Sequence, residues 1–146
     1  MWSLTVLQGL SDDEVALPKA IAVLHGPEES SLSAITVFRG TKRVIVFNEQ
    51  HGSARQASDF CHELAHGLLL HTPTPAFSEH GCRSWNTEIE DEANYLGGAL
   101  LIPGKGARWI AKCGLSTDAA AARFGCSVEM VTWRLNVSGA RHLMKS

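Results

Sequence analysis

Two runs of β-branched and aromatic residues mark one stretch of the chain as a hairpin. The runs span 34–38 and 43–47, and they flank the dipeptide Gly40-Thr41. This composition around a short glycine-containing turn is typical of two antiparallel, half-buried strands. We therefore predict a β-hairpin and, with it, an α+β domain in which a small sheet packs on a helix.

Two longer segments after the hairpin have apolar residues at helical spacing. The first opens with an S-x-x-Q capping sequence at 53–56 and ends before Pro73, and the second opens with T-x-x-E at 87–90 and ends before Pro103. Such sequences begin helices, and the prolines end them. Gly97-Gly98 lies inside the second helix, where each glycine costs about 1 kcal/mol relative to alanine. We expect close packing against another backbone to compensate for this cost.

Shorter helices complete the predicted elements. One is expected between residues 11 and 26, and two others meet at Gly125 in the outline of a helix-turn-helix. The chain is long enough for one domain and too short for two. We predict a single domain over residues 1–146, with a catalytic core at 33–104 and a C-terminal helical segment at 105–146.

Composition and charge exclude several classes of protein. The 146 residues carry a formal net charge of −2, so the global positive field that nucleic-acid binders use is absent. No apolar run approaches the roughly 18–20 residues of a membrane span, and the first 18 residues contain no Lys or Arg. We expect a cytoplasmic protein without a signal peptide or anchor. The four cysteines form no C-x-x-C pair, which argues against a cysteine-rich zinc site.

The strongest chemical signal is the H-E-x-x-H sequence at 62–66, inside the first long helix. Residues four apart share a helix face, so His62 and His66 can bind one metal ion while Glu63 points beside it as a general base. Zinc suits two imidazoles and a carboxylate, and three protein ligands leave a fourth position for water. A surface helix is the ordinary alternative, but flanking leucines put the histidines beside a buried face, where unpartnered imidazoles are costly.

A third ligand is expected from the acidic first turns of the second helix. The candidates are Glu88, Glu90, Asp91 and Glu92. Acidic residues are also favoured at helix N-termini by the helix dipole, so they cannot all be ligands. Glu92 is our first choice because it continues into an apolar row that packs toward the core, and Glu88 is the second. With Glu88 as the ligand, Glu92 would accept the other N–H of a ligating histidine.

Three further residues are candidates for contacts with substrate. Tyr95, His71 and His80 could each donate a hydrogen bond to the oxyanion that forms when a peptide carbonyl is attacked. An isolated Tyr or His near a helix end is more commonly a packing or capping residue. These assignments are therefore secondary to the metal ligands.

Three segments of the chain together carry a family resemblance. They are residues 55–66, which end in the H-E-x-x-H sequence, residues 90–96, which begin E-D-E-A-N, and residues 121–128, which contain F-G-C-S. In this combination the chain resembles the ImmA/IrrE family of zinc metallopeptidases over roughly residues 33–140. The resemblance implies a compact, gluzincin-like (zincin-like) fold with a zinc cofactor. It further implies that His62 and His66 are ligands, Glu63 the base and Glu92 the third ligand.

The resemblance also implies a class of substrate, because members of this family cleave or inactivate helix-turn-helix repressors. We expect a zinc-dependent endopeptidase that cuts such a repressor or an antitoxin-like partner. The alternative is a zinc-bearing regulatory protein that sequesters a transcription factor without cleaving it. Direct nucleic-acid binding is not expected, because the candidate recognition helix at 128–136 offers only Arg134 and has Glu129 near its start.

Overall fold

The structure, a computed structural model, describes residues 33–39, 42–48, 51–72 and 86–145. The helix predicted between residues 11 and 26 lies outside these ranges, as does His80.

A β-hairpin forms where the hydrophobic pattern predicts it. Strands β1 (Ala34–Arg39) and β2 (Lys42–Phe47) are six residues each and pair antiparallel. The register runs from the pair of Ala34 with Phe47 at one end to the pair of Arg39 with Lys42 at the other. The prediction of a hairpin at this position is confirmed.

The two long helices begin as predicted, but each is capped one residue earlier than its capping sequence indicates. Helix α1 (Ser53–Leu68) has Gly52 at its N-cap position and no side-chain cap. Helix α2 (Thr87–Leu101) is capped by Asn86, whose Oδ1 accepts a hydrogen bond from the Glu88 backbone N–H at 3.1 Å. Asparagine is among the residues that cap helices best, which explains why it takes this position.

Three short α-helices and a 3-10 helix follow α2. They are α3 (Gly104–Lys112), α4 (Thr117–Phe124), α5 (Val128–Val137) and the 3-10 helix at Ala140–Lys145. The hydroxyls of Ser116 and Ser127 cap α4 and α5 by accepting backbone N–H groups at 3.2 Å. Gly125 ends α4 with φ 64°, a left-handed conformation that glycine adopts without strain. The two helices predicted around Gly125 are therefore present.

Among the described residues, the largest fully buried side chains come from the C-terminal half. Ile102, Ile110 and Val131 are fully buried, and the main core cluster lies entirely between residues 102 and 140. Helices α1 and α2 instead meet through small residues. A Cβ at Gly97 would lie 3.1 Å from the Cα and N of His62, so the predicted close approach to another backbone is confirmed.

One buried cation connects the C-terminal helices to the end of α2. Arg134 of α5 is 2% exposed, and its Nε donates a hydrogen bond to the carbonyl oxygen of Ile102 at 3.1 Å. Its guanidinium carbon lies 5.3 Å from the ring centre of Tyr95 and 5.8 Å from that of Trp133. A cation is favourable at this place because the C-terminus of a helix carries partial negative charge.

The predicted α+β class is wrong, because the structure is mostly helical. Its α-helices are 16, 15, 9, 8 and 10 residues long, and within the described ranges the only strands are the two of the hairpin. A two-stranded hairpin does not make a sheet layer that a domain could be built on. The buried core is instead formed between helices.

Candidate metal centre

Three side chains from two helices meet at one point. His62 and His66 lie one turn apart on α1, and Glu90 comes from the first turns of α2. The two Nε2 atoms are 3.0 Å apart, and Glu90 Oε2 lies 3.3 Å from His62 Nε2 and 3.8 Å from His66 Nε2. All three side chains are largely shielded, with exposures of 25%, 19% and 15%.

The residues present fit a zinc ion. Zinc binds imidazole nitrogen and carboxylate oxygen at about 2.0–2.2 Å in a tetrahedral shell. Two ligand atoms of such a shell lie about 3.3–3.6 Å apart, and the three separations observed here bracket that value. Three protein ligands are also the number typical of catalytic zinc sites, where the fourth position takes water or substrate.

The ring of His62 is oriented by an amide from α2. His62 Nδ1 lies 3.0 Å from Asn94 Oδ1. Because an amide oxygen only accepts hydrogen bonds, Nδ1 carries the ring proton of neutral His62. The lone pair of neutral His62 is then on Nε2, the nitrogen that faces His66 and Glu90.

His66 has different surroundings. Its Nδ1 lies 2.9 Å from Nδ1 of His71, whose Nε2 lies 3.0 Å from Glu92 Oε2. Burial is the main cause that lowers the pKa of His66, and the neighbouring His62 lowers it further, while the charges of Glu90 and Glu63 oppose the shift. A lowered pKa favours the neutral imidazole, which is the form that binds a metal.

Glu63 is held by the hairpin. The Thr36 hydroxyl on β1 donates a hydrogen bond to Glu63 Oε2. Glu63 follows His62 directly on α1 and is close enough for its charge to raise the pKa of His66. The candidate base therefore lies beside the two histidines and is anchored on the side of β1.

The other residues singled out from the sequence are found in several places. Glu92 is 65% exposed and contacts His71, while His71 contacts His66. Glu88 is exposed in the first turn of α2. Tyr95 is 53% exposed, and its ring lies under Arg134. The structure thus brings Glu90, rather than Glu92 or Glu88, to the two histidines.

A signal for Glu90 was present in the sequence. Glu90, Ala93 and Gly97 follow one another at three- and four-residue intervals, and Ala93 and Gly97 are both buried. Leu100, in the apolar row that favoured Glu92, is 38% exposed. The helix face that packs most closely on α1 is marked by its small residues rather than by its large ones.

Comparison with known proteins identifies the family. The sequence matches the family model described as IrrE N-terminal-like domain, peptidase family M78, over residues 20–136. Searches of curated proteins and of solved structures gave no match. Among the described helices, none has both the length and the apolar character needed to cross a membrane. Because the match covers most of the 146 residues, the chain belongs to the IrrE-like M78 family of metallopeptidases.

Proposed function

We propose that this protein is a zinc-dependent endopeptidase that hydrolyses a peptide bond in a helix-turn-helix repressor or an antitoxin-like partner. The observation that carries the proposal is the convergence of His62, His66 and Glu90 beside Glu63. Two imidazoles and one carboxylate with an adjacent second carboxylate form the donor set and base of a hydrolytic zinc site. Membership of a metallopeptidase family supports the same chemistry, and the proposed substrate class follows from the family resemblance of the sequence.

Three residues hold the zinc ion in this proposal, with Glu90 as the third ligand in place of Glu92. The support is the distance of 3.3 Å between Glu90 Oε2 and His62 Nε2. Glu90 is also the least exposed of the three side chains at 15%. Replacing it by Gln removes the anionic ligand with little change in volume.

Glu63 is the proposed general base and general acid. Zinc, when bound, supplies Lewis-acid activation of water and of the scissile carbonyl. Glu63 takes a proton from the attacking water and later gives it to the departing amine. The hydrogen bond from Thr36 fixes the orientation of the carboxylate.

The test of the base is Glu63→Gln, which keeps the volume of the side chain and removes its proton-accepting charge. We expect zinc content to stay at one per chain and cleavage to fall by about 10²–10⁴-fold, the usual contribution of a positioned base. The measurement is zinc by elemental mass spectrometry and cleavage of a proteome-derived peptide library by peptide mass spectrometry. Glu129→Gln, the same change at an exposed position on α5, is the matched control.

Three outcomes would overturn parts of this proposal. Cleavage by Glu63→Gln at the wild-type rate would exclude Glu63 as the base. Loss of cleavage with full inactivation of a repressor in cells would favour the alternative, in which the protein sequesters its partner without cutting it. A Glu90→Gln variant that retains wild-type zinc affinity would exclude Glu90 as a ligand.

A further inference from the structure

Helix α1 ends in a turn that brings the chain back toward the metal centre. The backbone N–H of His71 donates to the carbonyl oxygen of His66 at 3.0 Å. Leu70, between the helix and His71, has φ 57°, a left-handed conformation that costs roughly 1 kcal/mol or more for a residue with a side chain. The result is that the His71 side chain is only 9% exposed and lies against His66, with ring centres 5.0 Å apart.

The hydrogen bonds of His71 have a definite direction. A carboxylate only accepts, so His71 Nε2–H donates to Glu92 Oε2 at 3.0 Å. Neutral His71 then has its lone pair on Nδ1, which lies 2.9 Å from Nδ1 of His66. His66 Nδ1 must therefore be the donor, and the lone pair of His66 is on Nε2. That is the nitrogen that faces His62 and Glu90.

We propose that His71 and Glu92 form a positioning pair that holds His66 in the orientation and tautomer that bind zinc. The inference rests on the proposed zinc site and deepens it. His71 bridges a carboxylate to a ligating histidine, whereas in many metal sites the carboxylate contacts the ligand directly. Neither His71 nor Glu92 is a ligand in this arrangement.

The two ligating histidines are thus supported separately, and both supports involve α2. Asn94 accepts from His62 Nδ1, while Glu92 acts on His66 through His71. Glu90, two residues before Glu92, contributes the ligand itself. One short stretch of α2 therefore supplies the anionic ligand and fixes both imidazole rings.

The test compares the zinc affinities of full-length variants by competition with a chromogenic chelator. His71→Leu and Glu92→Gln should each weaken zinc binding by about 10–100-fold, the usual effect of losing such a support. The double variant should bind zinc as tightly as the single variant with the lower affinity, because the two side chains act through one contact. His71→Gln should restore much of the affinity, since its amide can accept from His66 and donate to Glu92.

Three further measurements separate positioning from a general loss of structure. His142→Leu, which removes an exposed histidine outside the site, should leave zinc affinity unchanged. Thermal unfolding of the zinc-free variants should match that of wild type for Glu92→Gln, whose side chain is mostly in solvent. The visible absorption of the Co²⁺-substituted protein should change in His71→Leu and return in His71→Gln.

Each way in which the proposal could fail has its own result. Wild-type zinc affinity in His71→Leu would overturn the positioning role and leave the proposed peptidase standing. Complete loss of zinc in Glu92→Gln, with Glu90→Gln unaffected, would make Glu92 the direct ligand and overturn the inference. A wild-type protein that binds no zinc would overturn the proposed function itself.

Discussion

At the residue scale, the site depends on which nitrogen of each imidazole carries the proton. Hydrogen bonds to Nδ1 of His62 and of His66 leave both Nε2 atoms facing the same point. Free imidazole populates both tautomers and turns freely, so a site without these contacts would have to order its ligands on binding the metal. Here the hydrogen bonds order both imidazole rings when the protein folds, so metal binding does not have to order them.

The lowered pKa of His66 predicts how zinc binding responds to acid. Its ordinary value is 6.5, and burial beside His62 lowers it. Protons therefore compete with zinc for His66 only at a pH lower than the one at which they would protonate a free imidazole. The same shift means that the folded protein binds fewer protons than the unfolded chain, so this contribution to stability is complete above 6.5 and is lost as pH falls through the lowered pKa.

Isothermal titration calorimetry with zinc at a series of pH values measures this response. We expect wild-type affinity to fall as pH drops through the lowered pKa of His66, and to hold to a lower pH than the affinity of His71→Leu. His71→Leu, which removes one of the groups that lower the pKa of His66, serves as the comparison. A decline that begins at a lower pH in His71→Leu than in wild type would contradict the prediction.

The residue-scale geometry could be predicted only in part from the sequence. The i, i+4 spacing of His62 and His66 is enough to bring their rings together on a helix. The identity of the acidic partner depends on how α2 is rotated about its axis. Neighbouring glutamates differ by about 100° per residue, and Leu100, in the apolar row used to set that rotation, is 38% exposed rather than buried.

At the scale of elements, the contact between α1 and α2 controls the distance between the ligands. A Cβ at Gly97 would lie 3.1 Å from backbone atoms of His62 and 3.2 Å from the carbonyl carbon of Cys61. Backbone atoms cannot turn aside as a flexible side chain can, so an added methyl group must separate the helices.

We predict that Gly97→Ala destabilises the protein by about 1–3 kcal/mol, as overpacking usually does, and weakens zinc binding. The gain in helix propensity of about 1 kcal/mol offsets only part of this loss. Thermal unfolding of the zinc-free protein and chelator competition measure the two effects. Gly52→Ala is the matched control, because a Cβ there meets nothing within 4 Å. Equal behaviour of the two variants would show that the helices can separate without cost.

The pattern of the sequence identified elements better than it identified their arrangement. Two runs of β-branched and aromatic residues predicted β1 and β2 within one residue at each end. Nothing in that pattern says how many strands will join a sheet, because strand partners are chosen by contacts distant in sequence. The α+β class was wrong for this reason, although the hairpin was correct.

At the scale of the whole molecule, the described part has two differently built regions. Its large buried side chains, among them Ile102, Ile110 and Val131, belong to the C-terminal helices. The buried residues of α1 and α2 are alanines and glycines. Small residues bury little apolar area, so the region that holds the ligands gains less from the hydrophobic effect.

We therefore predict that removing zinc loosens α1 and α2 more than the C-terminal helices. Ligand binding stabilises the state that carries the site, and local opening is easiest where few apolar contacts hold the chain. Hydrogen–deuterium exchange with and without a chelator measures this. Amides of α1 and α2 should exchange at least tenfold faster without zinc, while those of α3 and α5 change little. The Glu90→Gln protein should resemble the chelated wild type, and uniform change along the chain would contradict the prediction.

The contact between Arg134 and Ile102 bears on how this chain can be divided. Arg134 is in the segment whose outline is that of a helix-turn-helix, and Ile102 caps the helix that carries Glu90. Trp133, which precedes Arg134 on α5, lies against Gly98 of α2. A fragment that stopped after α2 would expose to water the surface of this helix that Arg134 and Trp133 cover. The C-terminal helices therefore support the helix that carries Glu90, and exchanging them with those of another protein would also disturb that helix.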